Sequence, residues 1–327
     1  MNGRPRVLVT RALPEAGMNK LFLHCDVTVF SAERQPTAEE LKALLPQYDA
    51  LLCTLMDKID RELLQTARPK VVSTYAVGYD NIDIAAATEF GIPVTNTPGV
   101  LTNATAEIAW ALLMAVTRRI VEADHFVRQG KWSGWSPLML LGTELAGKTL
   151  GIIGCGRIGL AVAKRAKAFE MNTLYLNRRR LEEATENEYG LTYADLDTLL
   201  GQADFVSLHV PYTPEAHHLI NRDALRKMKR SAFLINTARG AVVDEAALVE
   251  ALQMGEIAGA GLDVFEAEPQ VHAGLLPLQN VVLAPHLGSA TWETRTKMAE
   301  IAVENTIKVL QGEHPISLVN PEVWTTR

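Results

Sequence analysis

Short apolar runs recur along the chain, each followed by a stretch in which apolar residues return every three or four positions. In the first hundred residues the runs at 6–10 (RVLVT), 27–30, 50–55, 71–76 and 92–96 predict strands. Helical spacing lies between them, as at 37–45, where Thr37 and Glu40 stand three apart in the pattern of a capping box. A second set begins at 149–153 (TLGII) and continues at 173–176, 205–210, 232–236, 259–264 and 281–286. Strand–helix alternation of this kind builds parallel sheets covered by helices on both faces. The pattern therefore predicts two doubly wound α/β domains, the second with the six strands of a complete dinucleotide-binding sheet. A single long helix over 102–129 is predicted to link them, and a helix over 291–312 to return to the first. The expected division is residues 1–100 with 291–327 against residues 101–290.

One segment escapes both periods. Residues 130–142 (GKWSGWSPLMLLG) carry Trp132, Trp135 and several large aliphatics without a repeat. Such a loop either folds back on its own domain or covers a partner subunit, and the second reading is favoured. This predicts a homodimer with the Trp132–Trp135 loop at its interface.

Composition narrows the class. In 327 residues, 48% are hydrophobic and 21% charged, as in soluble globular proteins. A formal charge of −6 argues against nucleic-acid binding, and no apolar run approaches the ~20 residues of a membrane span. The opening residues enter a strand at once, without the apolar core of a secretory signal. Three cysteines, Cys25, Cys53 and Cys155, show no paired spacing. These features suit a reducing cytoplasm, and no set of residues has metal-ligand spacing. Cys155 reads as a small residue tolerated between glycines in preference to a redox sensor.

The strand at 149–153 runs into Gly154, Gly156 and Gly159, spaced G-x-G-x-x-G, with Arg157 and Ile158 opening a helix between the last two. Glycine serves there for a tight turn, for backbone approach to a pyrophosphate and for helix–strand packing. The helix N-terminus then offers unpaired N–H groups to the phosphate. About 20 residues further on, an NAD site usually places an acidic residue on the ribose. Here Asn177, Arg178, Arg179 and Arg180 follow the second strand instead. Guanidinium groups suit a 2′-phosphate, so NADPH is expected, with NADH the weaker cofactor. A solvated basic turn is the plainer alternative.

Arg239, Glu268 and His286 lie at or just after the C-terminal ends of strands in the second half, where open α/β sheets bind ligands. Chemically they suit reduction of a ketone beside a carboxylate. A histidine would protonate the developing alkoxide, a glutamate would keep the imidazole charged, and an arginine would clamp the carboxylate.

The motifs GIIGCGRIG, LHVPYTPEAHHLI, FLINTARGAVVDEAALVEAL, GAGLDVFEAEP and APHLGSAT resemble, in order and spacing, the D-isomer-specific 2-hydroxyacid dehydrogenases. That resemblance runs over nearly the whole chain and implies a Rossmann cofactor domain beside a discontinuous, flavodoxin-like substrate domain. It implies Arg239, Glu268 and His286 as the catalytic trio. The nicotinamide nucleotide would be lined by the glycine loop, Val210, Pro211, Thr237, Ala238, Arg239, Asp263 and His286 to Gly288. By the same resemblance AVGYDNID is a substrate loop, with the N–H groups of Val77 and Gly78 on the carboxylate. The domains would close over the substrate on hinges near Thr102 and Ala290.

Within the family, LLCTLMDKID and WSGWSPLMLLG look most like glyoxylate/hydroxypyruvate reductases, some of which accept 2-ketogluconate. Leu55 and Met56 would then wall a pocket for a small 2-oxo acid, and Trp135 would reach the partner's active site. Phosphoglycerate dehydrogenases are the nearer rival and share the trio, but they usually work with NADH and often have added regulatory sequence, and neither sign is present here. Formate dehydrogenases have glutamine in place of Glu268. A dinucleotide-sensing corepressor is the alternative of a different class.

Overall fold

The structure is a computed structural model and describes residues 3–30 and 34–325. It divides into two units, Met1–Leu101 with Ala290–Arg327, and Thr102–Ser289.

In the first unit the apolar runs form β1 (Arg6–Val9), β2 (Asp26–Val29), β3 (Ala50–Cys53), β4 (Val71–Thr74) and β5 (Val94–Thr95). All pair in parallel, in the order β2-β1-β3-β4-β5, the flavodoxin-like arrangement. The runs are nearly continuous in apolar residues because helices cover both faces: β3 and β4 are buried throughout. Helices Glu15–His24 and Trp292–Leu310 pack against each other on one face. A Cβ at Gly17 would lie 2.8 Å from that of Ala299, so glycine permits this close crossing. Thr37 and Glu40 cap the helix Ala38–Leu44 reciprocally.

The second unit contains β6 (Thr149–Ile153), β7 (Asn172–Leu176), β8 (Leu191–Tyr193), β9 (Phe205–Leu208), β10 (Phe233–Asn236), β11 (Gly259–Leu262) and β12 (Val281–Leu283). Their order is β12-β11-β10-β9-β6-β7-β8, again parallel. The order reverses between β6 and β9, the switch point at which such sheets bind nucleotides. Both units are thus parallel-sheet α/β folds, the second a Rossmann sheet.

Two expectations need correction. The sheet has seven strands, because residues 191–193 form a short edge strand with two exposed residues and hence too little apolar pattern to read. The predicted single helix is two, Thr102–Thr117 and Ile120–Arg128. Arg119 breaks it with a left-handed backbone, φ 54°, and the Thr117 carbonyl accepts the Thr143 N–H at 2.9 Å. The loop 130–142 does not bury its apolar residues: Trp135 is 80% and Leu138 79% exposed. No residue of the adjoining helix Ile120–Arg128 is buried.

Candidate active site

The glycine loop joins β6 to helix Arg157–Ala168. Gly154 has φ 95°, and a Cβ there would lie 2.6 Å from the Val210 nitrogen, so only glycine fits beside the end of β9. At Gly159 a Cβ would meet the Gly154 carbonyl oxygen at 2.6 Å, which fixes how closely the helix packs on its strand. Gly156 differs, since a Cβ there would meet nothing within 4 Å. The backbone faces open space at the head of a twelve-residue helix that has no side-chain cap. Anion-sized room over uncapped N–H groups fits a pyrophosphate. Cys155, between these glycines, is buried, and burial pushes its thiol up to about 12. That leaves it unreactive as a thiolate source.

Asn177, just after β7, takes the Cys155 N–H on its Oδ1 at 2.6 Å, which ties the loop after β7 to the glycine loop. Arg178 and Arg179 are exposed. Arg180 is bound elsewhere. Its guanidinium holds Glu186 through Nε and Nη2, both at 2.8 Å, and Glu186 also accepts the Tyr175 hydroxyl at 2.5 Å. The sequence pattern groups Arg180 with its neighbours, whereas its geometry is that of a bidentate ion pair from the loop to the helix Glu183–Tyr189.

The three chemical residues lie within the second unit, on loops at the C-terminal side of β10, β11 and β12. Arg239 follows β10 in a turn held by Asn236, whose Nδ2 donates to the Arg239 carbonyl at 2.9 Å and whose Oδ1 takes the Ala238 N–H at 3.0 Å. A Cβ at Gly240 would lie 1.8 Å from the Phe265 carbonyl carbon, so the chain after Arg239 presses directly on the backbone leading to Glu268. Glu268 accepts the Phe265 N–H on Oε1 at 3.0 Å and meets His286 Nδ1 with Oε2 at 2.9 Å.

Burial raises the Glu268 pKa, but the hydrogen bond and charge of His286, the Phe265 N–H and the Arg239 field outweigh it. The net value lies below the ordinary carboxylate range. His286 sits in the left-handed region, φ 55°. Its turn is built by Asp263, a buried carboxylate that receives the Leu287 N–H at 2.6 Å and the Gly288 N–H at 2.8 Å. With Nδ1 on Glu268, Nε2 is the ring nitrogen left for chemistry. The Asp263 pKa is raised, by burial against those same N–H groups.

Sequence reading passed over His209, which closes β9. Its Nε2 lies 2.8 Å from Ser207 Oγ and its Nδ1 3.5 Å from Thr237 Oγ1, between the glycine loop and the Arg239 turn. Burial lowers its pKa to about 4, so the ring is neutral near pH 7. Its place inside LHVP, at a strand end, was the available signal. Of the remaining expected residues, Thr237 and Ala238 are buried in the turn before Arg239, and Pro211 is exposed after β9. Leu55, Met56, Val77 and Gly78 belong to the first unit, at loops following β3 and β4. Among the described residues no group of acidic, histidine and cysteine side chains could hold a metal, and no helix is long and apolar enough to cross a membrane.

A Rossmann switch point, an uncapped helix end and a histidine–glutamate pair beside an arginine fit an NAD(P)-dependent dehydrogenase. Residues 110–288 match the family model described as D-isomer specific 2-hydroxyacid dehydrogenase, NAD binding domain. The chain is 53% identical over 328 residues to a glyoxylate reductase of Thermococcus litoralis, covering 99% of each. It is 36% identical to a glyoxylate reductase structure from Paecilomyes thermophila, with TM-score 0.86 over 97% of this chain and 99% of that one. An NADPH-dependent glyoxylate/hydroxypyruvate reductase from Sinorhizobium meliloti, solved with NADP and malonate, is 35% identical, with TM-score 0.85 over 98% of each chain. The chain belongs to the D-isomer-specific 2-hydroxyacid dehydrogenase family.

Proposed function

We propose that this chain reduces small 2-oxo acids, glyoxylate and hydroxypyruvate first and 2-ketogluconate among the larger candidates, to 2-hydroxy acids, of D configuration where C2 is a stereocentre, preferring NADPH to NADH. The observation that carries the reading is the His286–Glu268 pair at 2.9 Å, set one loop away from Arg239. A reduced nicotinamide held by the glycine loop and the turn before Arg239 would supply a hydride to the substrate's carbonyl carbon. As the oxygen gains charge, His286 donates the Nε2 proton to it, and Glu268 stabilises the imidazolium before that transfer. Arg239 polarises the ketone and pairs with the substrate carboxylate.

The cofactor preference rests on Arg178 and Arg179, exposed cations at the ribose end of β7 where an acidic residue would select NADH. The relative solved with NADP supports the same choice. We further assign the chain to the cytoplasm as a homodimer formed through the Trp132–Trp135 loop, with Trp135 reaching the partner's active site.

The decisive experiment assays a panel of 2-oxo acids with NADPH and NADH in parallel. Glyoxylate and hydroxypyruvate should lead the panel with NADPH. A protein that binds NADPH but oxidises it with no 2-oxo acid would instead be a dinucleotide-sensing binder.

A further inference from the structure

Asn177 anchors one end of the loop after β7 to the glycine loop, by the bond from Cys155 N–H to its Oδ1 at 2.6 Å. The other end is anchored by a buried network. Tyr175, fully buried, donates its hydroxyl to Glu186 Oε1 at 2.5 Å and accepts the Leu181 N–H at 2.8 Å. Glu186, itself buried, grips the Arg180 guanidinium with both oxygens. Between the anchors stand Arg178 and Arg179, both exposed, and the charge of Arg178 also acts on the Glu215 carboxylate. Three consecutive arginines therefore divide into one that holds the loop and two that it presents.

We infer that Glu186 and Tyr175 are positioning residues for cofactor choice: by fixing Arg180 and Leu181 they present Arg178 and Arg179 to the 2′-phosphate of an adenine nucleotide. The inference rests on the NADPH reading above. An exposed loop of arginines binds phosphate only after losing conformational freedom, which costs part of the attraction. Here the brace is made entirely of this chain's own groups, so folding itself meets part of that cost. The pairing is durable. The Arg180 hydrogen bonds, with that of Tyr175, draw the Glu186 carboxyl down to about 2, so it stays charged throughout the working pH range. Arg180, so held, contributes geometry, and the charge that meets the phosphate comes from its two neighbours.

The test is calorimetric binding of 2′,5′-ADP and of 5′-AMP to the full chain and to Glu186→Gln, Arg180→Gln and the double variant. Neither ligand needs turnover. The unaltered protein should bind 2′,5′-ADP more tightly than 5′-AMP. Each single variant should weaken 2′,5′-ADP by roughly tenfold, the low end for hydrogen bonds to charged groups, and leave 5′-AMP unchanged. The double variant should be no worse than either single one, since each breaks the same brace. If Arg180→Gln weakens 2′,5′-ADP while Glu186→Gln leaves it equal or tighter, Arg180 is itself a phosphate ligand and the inference fails. Equal losses for both nucleotides would reduce the network to a support for the fold. Absence of any 2′-phosphate preference in the unaltered protein would remove the NADPH reading and this inference with it.

Discussion

At the scale of single residues, the chemistry depends on which side chains can hold charge. Replacing His286 by Ala should cut turnover by roughly 10²–10⁴-fold, the usual range for a lost general acid. Glu268 offers a sharper test of the pairing. Its carboxyl is held below the ordinary value despite burial, chiefly by His286. Removing the charge with Glu268→Gln should shift the alkaline fall in reduction rate to lower pH. A pH profile that stays put would separate Glu268 from the proton donor. Asp57, in the first unit, tests burial with the opposite sign. Its Oδ2 accepts the Thr10 hydroxyl at 2.6 Å and the Thr54 N–H at 2.7 Å, while Oδ1 is buried with no partner among the described residues. Burial raises its pKa above the ordinary carboxylate value, against the pull of those same donors. The folded chain then keeps a proton that the unfolded chain has released. Stability is full below the unfolded pKa and declines as pH climbs to the folded one. Asp57→Asn removes that decline, so its melting temperature relative to the unaltered protein should rise between acid and neutral pH. A difference independent of pH would mean the carboxyl is not desolvated in this way.

Elements were legible where local pattern and final burial agree. Residues 149–153 read as a strand and form β6 residue for residue, because each position from Leu150 on is buried and apolar. Thr37 and Glu40 read as a capping box and make one, with Glu40 N–H on Thr37 Oγ1 at 3.2 Å and Thr37 N–H on Glu40 Oε2 at 2.7 Å. Thr37→Ala should therefore cost about 1 kcal/mol in denaturant unfolding. Elements failed to read where a long-range partner decides. The break at Arg119 is fixed by Thr143 taking a helix-terminal carbonyl, and no local residue in 102–129 announces it. β8 exists because β7 offers an edge to a mostly exposed triplet, too short to show a pattern of its own. The site divides likewise. Arg239, Glu268 and His286 could be read from chemistry at strand ends, but Asp263 building the His286 turn, and Glu186 removing Arg180 from its neighbours, depend on folding. No spacing rule encodes an 11-residue bond from Tyr175 to Glu186.

For the whole molecule, the exposed apolar surface of the second unit is the feature that isolation in water does not explain. Trp132, Trp135, Leu138 and Leu141 stand exposed within ten residues of chain, and Ile120 and Val127 are exposed on the helix just before them. Scattered exposed apolar residues are ordinary, but a cluster rimmed by polar ones marks a contact surface. A second copy of the chain is the simplest cover, since a two-fold interface buries the same patch on both partners at once. The protein should sediment as a dimer at micromolar concentration. Trp135→Ser with Leu138→Ser should convert it to monomer without altering its circular dichroism, because neither side chain belongs to a core. The proposed cofactor residues all lie in one chain, between Gly154 and Gly288, so the monomeric variant should keep its affinity for NADPH. If Trp135 also completes the partner's substrate site, KM for the 2-oxo acid should rise in the monomer while NADPH affinity holds. A dimer that survives the double substitution would assign these tryptophans to some other contact. An unchanged KM in a true monomer would leave each active site complete within its own chain.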